Sequence, residues 1–274
     1  MHADWLIPDW PAPAGVRAVF TTRRGGVSAA PFDSMNLGDH VGDLPGQVAE
    51  NRALLQRATG ARTVFLNQVH GCQVLELDAA TLDGHPADAC VTVQRQVACT
   101  IMVADCLPVL LTTEGGDVVA AAHAGWRGLA GSGGPGGQGV LESVYASFRA
   151  LAKVGRVQDA IKTIAWLGPC IGPTAFEVGP EVKAAFEAAL PGAGRLFAES
   201  GESGESGKYL ADLPGLARLR LQALGITQIY GNDGSAPWCT VSNPSRFFSH
   251  RRDAGVQGNG FGTTGRMAAC IWRV

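Results

Sequence analysis

Three short apolar runs, closely spaced and each ending at a residue able to do chemistry, constrain this chain most. Val97–Val103 stops just before Asp105-Cys106. Val109–Leu111 leads to the turn Glu114-Gly115-Gly116-Asp117, and Val118–Ala122 delivers His123 into Gly125-Trp126-Arg127-Gly128. Runs of this length, bounded by turn residues, suit strands covered on both faces; a buried helix would need a longer run. Side chains at the ends of such strands are held by a rigid scaffold, which precise chemistry requires.

The remaining patterns interleave. Val16–Thr22, Thr63–Leu66, Cys72–Leu77, Ala87–Val93, Ile161–Leu167, Ile226–Tyr230 and Met267–Trp272 read as further strands. Helical spacing marks residues 47–59, the segment from Val140 to Ala152, a helix opened by Pro180, and Asp212–Leu224. Residues 129–139 are glycine-rich and predict a flexible connection, and the tandem Gly-Glu-Ser at 201–206 predicts a mobile loop. Without a strict βαβ period or a linker composition, the expectation is one α+β domain over 1–274, with mixed sheets and helices outside.

With 46% hydrophobic and 17% charged residues, the 274-residue chain has ample material for a large core. A net charge of −2 gives no footprint for nucleic acid or an anionic membrane surface. Met1-His2-Ala3-Asp4-Trp5 has neither the basic start nor the apolar core of a secretory signal. Seven scattered cysteines with no CxxC pair fit reduced thiols better than a disulfide framework or a closed zinc site. The expectation is a cytoplasmic, monomeric protein that binds a small molecule.

His70, Cys106 and His123 each follow an apolar run and sit beside turn residues. A cysteine and two histidines make a three-ligand zinc set with an open fourth position, the catalytic pattern. Zinc there would lower the pKa of a bound water toward ~7. The same residues also read as ordinary buried polar groups, or as a Cys106 nucleophile with His123 or His70 as its base and Asp105 or another acid orienting the pair. Anion capture needs donors: Arg127 is the first candidate, then Arg23, Arg24, Arg251 and Arg252. The loops Arg23–Ser28 and Ser34–His40, with Arg23 and Asn36, could cradle ligand oxygens.

Five segments together resemble the YfiH family: Asn67-Gln68-Val69-His70-Gly71, Ala104-Asp105-Cys106-Leu107-Pro108-Val109, His123-Ala124-Gly125-Trp126-Arg127-Gly128, Gly168-Pro169-Cys170-Ile171-Gly172-Pro173 and Phe248-Ser249-His250-Arg251-Arg252-Asp253. Thr21-Thr22-Arg23, Asn36-Leu37-Gly38 and Thr264-Gly265-Arg266 extend the match along nearly the whole chain. That family carries the labels polyphenol oxidase, laccase domain and purine nucleoside phosphorylase. The resemblance implies an α/β sandwich, likened to toxin-type cysteine hydrolases, and a metal site, usually zinc, at His70, Cys106 and His123. It further implies phosphorolysis of adenosine, inosine and methylthioadenosine, and deamination of adenosine. In this reading Cys106, His123 and Arg127 are catalytic, while Asn36, Arg23 and Arg251 bind nucleoside and phosphate. Three rivals stay open: a cysteine hydrolase or amidase using Cys106 and His123, a copper-dependent phenol oxidase, and a non-catalytic nucleotide-binding protein.

Overall fold

The computed structural model describes residues 1–131, 137–152, 162–200, 207–254 and 262–274. The three apolar runs that dominate the sequence become β5 (Val97–Val103), β6 (Leu107–Thr113) and β7 (Val119–Ala124), and every residue in them is buried. The second and third strands are longer than the runs suggested, because Pro108 and His123 pair opposite each other within the ladder. His123 therefore lies in a strand and not beyond its end.

β5 belongs to a four-stranded sheet with β1 (Val16–Phe20), β2 (Arg62–Phe65) and β13 (Met267–Arg273), in the order β1-β13-β5-β2. β6 and β7 belong to a six-stranded sheet that also holds β3 (Val74–Glu76), β4 (Ala89–Thr92), β8 (Thr163–Leu167) and β12 (Gln228–Gly231). Its order is β12-β8-β6-β7-β4-β3. Both sheets mix parallel and antiparallel pairs: β2 runs parallel to β5 and β12 parallel to β8, while β6 runs antiparallel to both its neighbours.

The alternation of side chains across each strand builds a layered core. Phe20, Val64, Ile101 and Ile271 from the first sheet meet Leu110, Val119, Ala121 and Trp166 from the second. On the outer face of the four-stranded sheet, Val19, Phe65, Met102 and Trp272 pack under Leu55 of α1 (Pro45–Thr59). On the outer face of the six-stranded sheet, Val91, Val109 and Ala120 pack under α3 (Val140–Ala152), whose Val140, Leu141, Val144 and Phe148 are fully buried. α2 (Trp126–Ala130), α4 (Pro180–Ala189) and α5 (Leu213–Ala223) complete that layer. The result is the expected α/β sandwich, with two sheets face to face and helices outside.

Two details differ from the expectation. Leu129 and Ala130, assigned by their glycine-rich context to a flexible connection, are buried in α2, which Gly131 ends in the left-handed conformation at φ 79°. A three-stranded sheet of β9 (Glu177–Val178), β10 (Phe197–Glu199) and β11 (Tyr209–Ala211), in the order β10-β11-β9, has strands too short to leave a periodic signature. The Gly-Glu-Ser repeat lies outside the described residues.

Candidate active site

Two of the three predicted ligands sit where the chain changes sheet. Cys106 closes the short link from β5 to β6, and His70 lies in the link from β2 to β3. Each crossing needs a left-handed residue: Asp105 has φ 91° and His70 has φ 60°. Such angles are unfavourable for residues with a Cβ, so the surroundings must hold them. At Asp105 the carboxylate accepts from Thr240 Oγ1 at 2.5 Å and from the Arg251 backbone N–H at 2.7 Å. Its carbonyl also accepts from Ile171 N–H at 2.9 Å.

His70 is held by a residue that the sequence reading did not single out. The fully buried Asp88 accepts three successive backbone N–H groups, from Val69 at 3.1 Å, His70 at 2.8 Å and Gly71 at 2.7 Å. Its Oδ1 also lies 2.8 Å from His123 Nδ1, and its carbonyl accepts the His123 N–H at 2.7 Å. One carboxylate thus fixes the loop carrying one histidine and the ring of the other. The acid that orients the pair is Asp88; Asp105, expected as a candidate, is committed to Thr240 and Arg251. A single Asp at the start of a short strand carries no pattern to announce this role.

The donor atoms of His70, Cys106 and His123 all lie within 4.8 Å of one another, with Cys106 Sγ 3.8 Å from His70 Nε2. The two imidazoles meet edge to face, centroids 4.8 Å apart. Among the described residues this is the one group of three His, Cys, Asp or Glu side chains placed to hold an ion. Gly125 makes the convergence possible: a Cβ there would lie 2.9 Å from His70 Cδ2 and 3.1 Å from Cys106 Sγ. A proton on Nδ1 donated to Asp88 leaves the other His123 nitrogen as a lone-pair donor, the usual carboxylate–histidine–metal arrangement.

The electrostatics of the cluster describe a thiolate beside an imidazolium. Burial alone would push the Cys106 thiol up, but the neighbouring His123 and His70 outweigh it and bring the thiol down to about 6. Burial likewise works to lower His123, yet the Cys106 thiolate and the Asp88 carboxylate raise it to about 9. Burial opposes ionisation of Asp88 too, and its bonds to His123, Gly71 and Val69 still hold its carboxyl below the usual range.

The centre opens into a cavity of about 360 Å³. Met102, Trp126, Ile171, Phe176 and Leu213 give it apolar and aromatic walls, and His40, His250, Arg251 and Arg266 give it a basic one. Of the predicted ligand-binding residues, Arg251 lines this cavity, on α6 (His250–Asp253). Arg127 does not join it: it is exposed on α2, stacked on the Trp126 ring at 4.5 Å, because one helical step beyond Trp126 turns it outward. Asn36 is fully buried and spends its side chain on Gly38, Asp43 and the Arg266 N–H, leaving nothing for a ligand. Arg23 lines a separate hollow and donates to the carbonyls of Asp33 and Pro244. Arg266 was visible only as part of a family motif.

This geometry has relatives. The family model described as multi-copper polyphenol oxidoreductase laccase matches residues 17–274. The chain belongs to this family, the YfiH family. It is 47% identical to a purine nucleoside phosphorylase of Pseudomonas aeruginosa, over 98% of each chain. It is 44% identical to the purine nucleoside phosphorylase YfiH of Escherichia coli, again over 98% of each. Among solved structures, a Neisseria meningitidis protein superposes with a TM-score of 0.82 at 43% identity, covering 98% of this chain and 99% of that one. YlmD from Geobacillus stearothermophilus gives 0.78 at 30% identity, covering 95% and 92%. No helix among the described residues is long and apolar enough to cross a membrane.

Proposed function

We propose that this chain is a zinc-dependent purine nucleoside phosphorylase that also deaminates adenosine. The observation that carries the reading is a His–Cys–His centre opening into a cavity with aromatic walls on one side and arginines on another. Relatives covering almost the whole chain are named purine nucleoside phosphorylases, and the cavity suits their substrates: a planar base for the apolar wall, an anion for the basic one. Adenosine, inosine and methylthioadenosine are the proposed nucleosides. Residues from 36 to 266 shape one site, which supports treating 1–274 as a single domain.

In phosphorolysis a phosphate oxygen bonds to C1′ of the ribose as the C1′–N9 bond breaks. The bonding pair leaves with the purine, which takes up a proton. In deamination water adds at C6 and ammonia departs. Zinc, when bound, would supply Lewis-acid polarisation and a water of lowered pKa. The chain's own residues do the rest. His70, Cys106 and His123 would hold the ion. Asp88 keeps the proton of His123 on Nδ1, and Arg251 offers a guanidinium to phosphate or ribose. Trp126 and Phe176 exclude water from the base.

The test is product analysis after incubating zinc-loaded protein with adenosine, with and without phosphate. Adenine that forms only with phosphate, alongside inosine in both tubes, is the expected result. Neither product in either tube would overturn the reading. His123→Ala should lose metal and turnover together.

A second reading draws on a specific observation: Cys106, His123 and Asp88 form a thiol–imidazole–carboxylate relay with the thiol near 6. That is the constellation of a cysteine hydrolase. Such an enzyme would survive chelation and die on alkylation, whereas the proposed one is silenced by chelation. Two histidines and a cysteine also suit copper, so metal content is measured beside turnover. Multicopper oxidation of phenols would need further centres, and the described residues offer one.

A further inference from the structure

The basic wall of the cavity contains a guanidinium with unused donors. Arg266 precedes β13, and its Nη1 donates to the carbonyls of Thr264 at 2.9 Å and Gly265 at 3.3 Å. Its Nε and Nη2 have no partner among the described residues, although the side chain lines the cavity. Asp105 is the one carboxylate among the lining residues, and both its oxygens are taken, by Thr240 and by the Arg251 N–H. No acid in the wall therefore hydrogen-bonds Arg266; Cys106 and Asp105 act on its charge only through space. A largely buried guanidinium with two open N–H directions and no carboxylate hydrogen-bonded to it is the ordinary preparation for a planar, bidentate oxyanion contact.

The position of this arginine is fixed from behind. Asn36 Oδ1 accepts the Arg266 N–H at 2.9 Å, and Leu37 N–H donates to the Arg266 carbonyl at 3.0 Å. Gly38 lets the stem pass: a Cβ there would lie 2.7 Å from Arg266 Cγ. The Asn36-Leu37-Gly38 loop, expected from sequence to touch ligand, instead aims an arginine that does. Across the cavity, Arg251 donates Nη1 to the Glu177 carbonyl at 3.0 Å and packs over Phe176 at 5.7 Å, which steadies a second guanidinium at the mouth.

We propose that Arg266, aimed by Asn36 and Gly38 and assisted by Arg251, forms the oxyanion subsite of the cavity and takes the inorganic phosphate consumed in the reaction. The proposal rests on the phosphorolysis reading for its ligand. Its test is built to fail separately: inorganic phosphate is titrated into the zinc-loaded protein without nucleoside, and binding is followed by phosphorus NMR line width. Wild type should broaden the signal saturably. Arg266→Met should weaken phosphate binding at least tenfold, and Arg266→Lys, which keeps a cation but loses the fork, should fall between them. Arg57→Met, which removes an exposed α1 arginine paired with Glu50, should match wild type. In turnover, the same loss should appear as a rise in KM for phosphate, with Arg57→Met again matching wild type. Gly38→Ala, which presses on the arginine without removing it, should raise the phosphate KM in the same direction. Phosphate bound equally by wild type, Arg266→Met and Arg266→Lys would overturn the proposal, as would no phosphate binding to wild type. Saturable binding that Arg266→Met weakens, in a protein that cleaves no nucleoside, would keep the subsite and discard the phosphorolysis reading.

Discussion

Asp88 shows how one buried carboxylate can organise a centre it never enters. Its two oxygens serve three backbone N–H groups and His123 Nδ1, so its loss would release the His70 loop and the His123 ring together. Partners of this kind typically matter by 10–100-fold in metal affinity. Asp88→Asn should therefore weaken zinc binding by roughly that factor, measured by competition with a chromophoric chelator, with the fold intact by circular dichroism. The thiol gives a second residue-scale expectation. In metal-free protein Cys106 ionises near 6, below an ordinary cysteine, because His123 and His70 favour the thiolate. Alkylation should be slow below that pH and climb to a plateau above it. Cys106→Ala, run in parallel, subtracts reaction at the half-buried Cys72; a midpoint above 8 would contradict the geometry. At this scale His70, Cys106 and His123 were legible as candidates because each follows an apolar run and sits beside turn residues. Asp88 and Arg266 were not, since their roles depend on backbone groups and cavities that contact defines and local sequence does not.

Elements were easiest to read where periodicity was long. α3 keeps Val140, Leu141, Val144 and Phe148 on one buried stripe, as its spacing predicts. Phe148→Ala should cost about 3–5 kcal/mol, read as a lower midpoint in urea. The boundaries of β6 and β7 were less legible because Pro108, a residue that ordinarily argues against a strand interior, is paired with His123 across the β6–β7 ladder. The turn from β7 into α2 is a tighter constraint. Gly125 lies against His70 and Cys106, and a Cβ at Gly128 would sit 2.7 Å from the Gly71 carbonyl. Gly125→Ala should reduce metal stoichiometry, measured by elemental analysis, while leaving the remote α3 packing and much of the thermal stability in place. Asn51, buried in α1, was hidden by the opposite logic. It faces the core yet bonds to Ser28, Ser34 and Asn36, so the helix organises loops through a polar residue that a hydrophobic stripe does not announce.

For the whole molecule, an ion held by the His–Cys–His cluster would share a free energy with the fold. The three candidate ligands come from two crossings between the sheets and one strand, so an ion bound only by the native state should raise the melting temperature; at a hundredfold excess over Kd the gain is about 2.7 kcal/mol. Zinc should raise the melting temperature of wild type, a chelator should reverse the shift, and His123→Ala should respond to neither. The layered architecture itself was readable from alternation and the absence of linkers, whereas the face-to-face pairing of the two sheets depends on long-range contacts such as those of Phe20 and Trp166. Cys106 and His70 both stand on crossings between those sheets, while His123 rides within one of them. The packing between the two sheets therefore acts as a calliper on the His–Cys–His cluster: it sets where the two crossings bring His70 and Cys106 against His123. Trimming Trp166 or Phe20, although neither touches the ion, should change how tightly it is held.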